Sequence, residues 1–162
     1  MRGSGWAAFA IAVTLTAAAQ TSDAPQLKEG LWFLHTVTTT KPGNKSTDEV
    51  ISLCRNHAFD QYANAMAMMQ QNCTVKRTWQ GETMTLDGTC TEKGSTVVSK
   101  GTMKMTGDTV THSEIHTTYT PALHGVVEST MVQDQTWLSS CPSGMKPGQQ
   151  RSADPNSMHL KD

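Results

Sequence analysis

From residue 73 onward the chain alternates polar residues with apolar or β-branched ones, which is the pattern of half-buried strands. Four such segments follow one another, at 73–80, 83–92, 96–106 and 109–120. The turns between them are short and contain Gly81, Gly94 and Gly107. Strands joined by short glycine-containing turns pair with their neighbours in the chain, so this region is predicted to form an antiparallel meander.

Three further strands are predicted outside this region. Residues 30–40 are rich in aromatic and β-branched residues, and a second strand at 49–54 returns after a break at Pro42. The last strand, at 125–139, follows a break at Pro121. The segment before the first strand is polar and contains Pro25, so it is predicted to be a flexible lead-in.

One helix is predicted at about 57–71, a stretch without Gly or Pro, with Asn56 as its N-cap. Its apolar positions recur at helical spacing and are Phe59, Tyr62, Ala63 and Met66. Such a stripe usually packs on a core. We therefore expect a mainly β (α+β) domain over residues 20–148: a twisted antiparallel meander of about six strands with one helix packed on it. A disordered polar tail is expected at 149–162.

The first hairpin of the meander predicts its own register. If Gly81-Glu82 is a two-residue turn, Trp79 faces Met84 and Cys73 faces Cys90. These are non-hydrogen-bonded pairs, with Cα atoms ~4.5 Å apart, a separation that a disulfide tolerates. The remaining pair of cysteines would then be Cys54 and Cys141. A zinc site is disfavoured because the sequence contains no Cys-x-x-Cys pair.

The first nineteen residues differ from the rest of the chain. Arg2 is followed by an apolar stretch at 6–15 and by the small residues Ala17, Ala18 and Ala19. This is the layout of a secretory signal peptide at 1–19, and the apolar stretch is well short of the ~20 residues that span a bilayer. We expect an exported periplasmic protein without a transmembrane anchor. The formal net charge of −1 argues against nucleic acid as a partner.

Several motifs, taken in order, resemble one known family. They are KEGLW at 28–32, a cysteine before the helix, two cysteines in the meander, and WLSSCPSGMKPG at 137–148. The chain is similar to the exported proteins of Gram-negative bacteria grouped as domain-of-unknown-function family 3617. The resemblance implies export, a periplasmic location and a cysteine-linked β domain. It implies no activity and no catalytic residue.

Metal binding is an alternative that the sequence leaves open. His112, Glu114 and His116 would share one face of a strand and could hold zinc. The methionines of the helix, Met66, Met68 and Met69, and those at 103 and 105 could bind copper(I). An ordinary polar strand face and core-filling methionines explain the same residues, so we expect no metal or cofactor.

Catalytic signatures such as a nucleophile elbow, a metalloprotease motif or a phosphate loop do not occur in the sequence. We therefore expect a non-catalytic binding module for an apolar or amphipathic envelope component, rather than an enzyme. Its ligand groove is predicted near Met103, Met105 and Met66, because methionine-rich surfaces adapt to varied apolar ligands. A structural protein that binds another envelope protein is the remaining alternative.

Processing of the signal peptide gives the first testable prediction. Mass spectrometry of the exported protein should find a mature chain that begins at Gln20 and carries no lipid, because no cysteine follows the small-residue site. An uncleaved chain retained in the inner membrane would contradict it.

Overall fold

The structure is a computed structural model, and it describes residues 24–69 and 72–153. The predicted signal peptide and residues 154–162 of the predicted tail lie outside the described residues. The described part contains eight strands and one helix. Their bounds are β1 Gly30–Lys41, β2 Lys45–Arg55, α1 His57–Met68, β3 Cys73–Gln80, β4 Thr83–Glu92, β5 Ser95–Thr106, β6 Val110–Leu123, β7 Val126–Ser139 and β8 Gln150–Ser152.

All described strands belong to one antiparallel sheet, in the order β3-β4-β5-β6-β7-β1-β2-β8. Strands β3 to β6 form the predicted meander, β7 pairs with β6, and β1 pairs with both β7 and β2. The mainly β class is confirmed, with more strands than the expected six or so. Helix α1 connects β2 with β3, which lie near opposite sides of the sheet.

The predicted register of the first meander hairpin is confirmed. Cys73 is paired with Cys90, Arg77 with Leu86 and Trp79 with Met84 across the two-residue turn. Gly81 has a φ of 60°, a conformation that costs glycine little and most other residues more. Side chains alternate across the sheet, so Arg77 and Trp79 lie on one face, which we call the inner face, while Lys76 lies on the other.

Two strand predictions were wrong. Pro121 does not end β6, which continues to Leu123 through an irregularity in its pairing with β7. Proline lacks an N–H group and is tolerated where the ladder is interrupted. Residues 150–152, expected in a disordered tail, form the short strand β8 on the edge of β2.

A tight core joins the inner face to the start of the helix. Trp32, Leu34 and Leu53 are buried there, and Leu27 and Phe59 pack against them. On the other face, Phe33, Cys54 and Met145 are also buried. Both faces of β1 and β2 are therefore covered at this end of the sheet.

Two disulfides link the chain at distant points, Cys54 to Cys141 and Cys73 to Cys90. These are the pairs that the hairpin register implies. The first closes a long loop with a sequence separation of 87, and its Cα atoms are 5.5 Å apart. In the chain-entropy model a loop of this length contributes over ~4 kcal/mol and the short one ~3 kcal/mol.

The segment before β1 is anchored, contrary to the expected flexible lead-in. The indole N–H of Trp32 donates to the carbonyl of Lys28 at 2.8 Å, and that of Trp137 donates to the carbonyl of Glu29 at 3.0 Å. The backbone N–H of Lys28 also bonds the carbonyl of Asp108 at 2.9 Å. The two buried or half-buried indoles need acceptors, and this segment supplies them.

Helix α1 begins at the predicted residue, but it does not pack on the sheet through the predicted apolar stripe. Asn56 accepts a hydrogen bond from the N–H of Phe59 at 2.8 Å, which confirms the N-cap. The predicted apolar stripe is wrong: Tyr62 is 64 % exposed and Met66 51 %, and no residue of α1 is fully buried. Periodicity identifies an apolar side of a helix but does not show that a sheet lies under it. In the described part of the chain, no helix is long and apolar enough to cross a membrane.

Substitutions on the helix test this packing. Phe59→Ala should lower the free energy of unfolding by about 2 kcal/mol, below the ~3–5 kcal/mol of a fully buried Phe because the ring is only half-buried. Tyr62→Ala should change it by less than about 0.5 kcal/mol, because that ring lies in solvent. Urea denaturation of both variants gives the two values. A larger loss for Tyr62→Ala would show that the predicted stripe faces the core after all.

Candidate ligand-binding cavity

A cavity of about 610 Å³ lies between the inner face of the sheet, helix α1 and residues 24–27. Small-molecule sites typically measure ~300–1,000 Å³, so the volume suits a small organic ligand. The cavity is partly open to solvent, and its lining is more apolar than polar. Its position follows from the fold, because α1 is the only described helix that lies over the sheet.

The sheet side of the cavity is apolar and rich in methionine. We call four methionines of strands β4, β5 and β7, Met84, Met103, Met105 and Met131, the methionine floor. The pairing places them together, since Met84 is the cross-strand partner of Met103. Trp79, Leu86 and Ile115 extend the same surface.

Gly101 lies within this apolar surface, between Leu86 and Ile115. A Cβ atom on it would lie 2.6 Å from the carbonyl oxygen of Glu114 and 2.8 Å from Cγ1 of Ile115. Only glycine fits this close approach of β5 and β6.

A chain of hydrogen bonds forms one polar wall. The Arg55 guanidinium donates through Nε to Asp60 at 2.9 Å and through Nη1 to Oε1 of Gln135 at 2.7 Å. Gln135 donates to Oε1 of Gln133 at 2.6 Å, and Gln133 donates to the hydroxyl of Thr36 at 2.9 Å. The side chains of Arg55 and Asp60 are only 15 % and 18 % exposed, so this ion pair is largely desolvated.

Arg77 is a second cation in the cavity lining, and it lacks a comparable partner. Its Nη1 donates to Oδ1 of Asn64 at 3.0 Å. Its Nε is buried and bonds to nothing. Among the described residues, no carboxylate lies within 4.0 Å of this guanidinium. The hydroxyl of Thr111, also on the inner face, is the other buried side-chain polar atom there without a partner.

The helix lines the cavity with its polar side. The residues concerned are His57, Asp60, Gln61 and Asn64. Arg55 and Arg77 thus hold α1 over the sheet through Asp60 and Asn64, while Phe59 provides the apolar contact. The cavity is consequently apolar over the methionine floor and polar along the helix and along the strand residues Arg55, Gln133 and Gln135.

The predicted groove residues do not all come together. Met103 and Met105 line the cavity, and Met105 is only 1 % exposed. Met66 lies outside the lining and is exposed, as are Met68 and Met69. The copper-binding alternative is therefore split between two separate surfaces.

The histidines considered for zinc lie on the outer face. His112 bonds Asp134 at 2.7 Å, and His116 lies 3.0 Å from Glu128. Lys41 and His116 beside Glu128 hold the pKa of that carboxyl below its usual value. Within the described residues, no group of three or more His, Cys, Asp or Glu residues is placed to hold a metal ion.

Sequence reasoning missed Arg55, Arg77, Gln133 and Gln135 as cavity residues. A signal for Arg77 was present, because the register of the first meander hairpin implies that this charged residue shares a strand face with Trp79 and lies opposite Leu86. Nothing in the local sequence marked Gln133 and Gln135, which lie in a strand of ordinary polar composition. Their role depends on the pairing of β7 with β1.

These features define a disulfide-linked antiparallel β domain with a ligand-sized cavity under its helix. The family model for proteins of unknown function DUF3617 matches residues 27–141. This match covers most of the chain, so the chain belongs to that family, as its sequence motifs indicated. No curated protein and no solved structure matches it.

The polar wall can be tested by removing one charge. Asp60→Asn should lower the free energy of unfolding by about 2 kcal/mol, because it leaves the nearly buried Arg55 guanidinium without its counter-charge. Asp134→Asn is the matched control: its partner His112 is 56 % exposed, so the loss should stay below about 1 kcal/mol. Equal losses in urea denaturation would contradict the assignment of Asp60 to a desolvated pair.

Proposed function

We propose that this protein is a non-catalytic binding module that holds a small apolar or amphipathic molecule in the cavity under α1. The observation that carries the proposal is the methionine floor beneath a cavity of about 610 Å³. Apolar surface left in contact with water costs free energy, roughly 25 cal/mol per Å². A ligand that covers the floor would recover this cost.

The composition of the floor supports a ligand with a flexible apolar part. Methionine has an unbranched, polarisable side chain that adapts its shape to different partners. Four such side chains on one face of the sheet form a surface that can repack around a chain of carbon atoms. A site for one rigid substrate would instead be expected to be lined by side chains with few accessible rotamers.

The ionisable groups of the cavity support binding rather than catalysis. Asp60 is the one carboxylate among the described lining residues, and it forms an ion pair with Arg55. The ring of His57 is engaged with the carbonyl of Leu27 at 3.0 Å. General acid–base catalysis needs an ionisable group that can reach a proton of the substrate. Asp60 and His57 are instead engaged in contacts with the protein itself.

The proposed location is the bacterial periplasm, reached through the signal peptide predicted at 1–19. Both disulfides suit an oxidising compartment. The proposed ligand is accordingly an apolar or amphipathic component of the cell envelope.

Binding can be tested with Nile red, a neutral dye that fluoresces in apolar surroundings. The oxidised protein should enhance its fluorescence, and dodecanol should displace it. Met103→Gln, which keeps the length of the side chain and makes it polar, should weaken dye binding about tenfold, or ~1.4 kcal/mol.

Met66→Gln is the control, because Met66 is 51 % exposed, does not line the cavity, and lies on the side of the helix away from Asn64. It should leave dye binding unchanged. The absence of saturable dye binding, or equal weakening by both substitutions, would reject the cavity as the binding site.

A further inference from the structure

The position of Arg77 in the cavity is costly for an unliganded protein. Its strand places it on the inner face beside Leu86 and two residues from Trp79, in an otherwise apolar stretch of sheet. Arginine carries five N–H donors and a permanent charge. The neutral oxygen of Asn64 satisfies one of these donors, and the buried Nε has no acceptor.

Arg55, in the same cavity, is an arginine whose charge and hydrogen-bond donors have partners within the protein. It has a carboxylate on Nε, an amide oxygen on Nη1, and the ring of Trp32 with its centroid 5.3 Å away. Arg77 has neither a carboxylate nor a ring contact among the described residues. The protein thus neutralises one of its two cavity arginines and leaves the other without a counter-charge.

The surroundings of Arg77 are suited to an anion attached to an apolar group. Asn64 sits next to the guanidinium, and its amide NH₂ can donate to the same anion. Met84 faces Trp79 two residue pairs along the hairpin and is a diagonal neighbour of Arg77, about 7–8 Å away, so the apolar floor begins beside the charge. A head group on Arg77 would leave its carbon chain over the methionine floor.

We propose that the ligand is a single-chain amphipathic anion, with its carboxylate or phosphate on Arg77 and its apolar chain over the methionine floor. This inference rests on the proposed function and adds the charge and orientation of the ligand. Arg77 is the specificity-determining residue of the site, because a charge-assisted bidentate contact selects anionic head groups.

The test compares head groups on one apolar chain. Dodecanoate, dodecyl phosphate, dodecanol and dodecyltrimethylammonium each displace Nile red from the full exported chain with both disulfides intact. The two anions should bind at least about tenfold more tightly than dodecanol, equivalent to about 1.4 kcal/mol. The cation should bind more weakly than dodecanol. Unequal affinities of the two anions would identify the preferred head group.

Arg77→Gln should lower the affinity for both anions to that for dodecanol and leave dodecanol binding within about twofold of the unsubstituted protein. Lys76→Gln is the matched control, because it removes the same charge from the neighbouring residue, which is exposed on the outer face. It should change none of the affinities. Arg77→Lys should retain part of the preference for anions, since it keeps the charge and loses the bidentate geometry.

Each outcome separates this inference from the proposed function. Failure of all four compounds to displace the dye would reject the proposed function and this inference with it. Displacement by dodecanol without a preference for anions would reject only the assignment of an anionic ligand. The preference in the unsubstituted protein decides this point even if Arg77→Gln does not fold.

Discussion

The structure depends on one constraint: among the described residues, a large sheet face is covered only by a short helix and the segment before β1. Trp32 fixes where that cover attaches, because its buried ring packs with Leu34, Leu53 and Phe59, and its N–H group holds the segment before β1. Beyond Phe59 the helix turns its polar side to the sheet. Three members of the methionine floor, Met84, Met103 and Met131, are consequently only half-buried, whereas Met105 is buried.

The cavity follows from this uneven distribution of apolar contacts. At the β1–β2 end both sheet faces are packed, and the disulfide of Cys54 fastens the end of β2 to Cys141. Across the meander, polar contacts through Arg55 and Arg77 replace apolar packing. A domain stabilised at one end and by disulfides can leave apolar surface open at the other, which is the requirement for holding a ligand.

The sequence predicted the strands well where alternation and glycine turns coincide, as in the hairpin that pairs Cys73 with Cys90. It predicted the N-cap at Asn56 because capping is local chemistry. It failed for Tyr62 and Met66, since the orientation of a helix depends on what lies beneath it. Met103 was expected in the groove and lines the cavity, whereas the network through Gln133 depends on a pairing between strands far apart in sequence.

Methionine methyl groups offer the most direct test of the central claim, that the ligand lies on the inner face beneath α1. In NMR spectra of protein labelled with ¹³C at the methionine methyls, dodecanoate should shift the signals of Met84, Met103, Met105 and Met131. The signals of Met66 and Met69, which are exposed and lie outside the cavity lining, should stay in place. Shifts confined to the helix methionines, or no saturable shifts, would contradict the account.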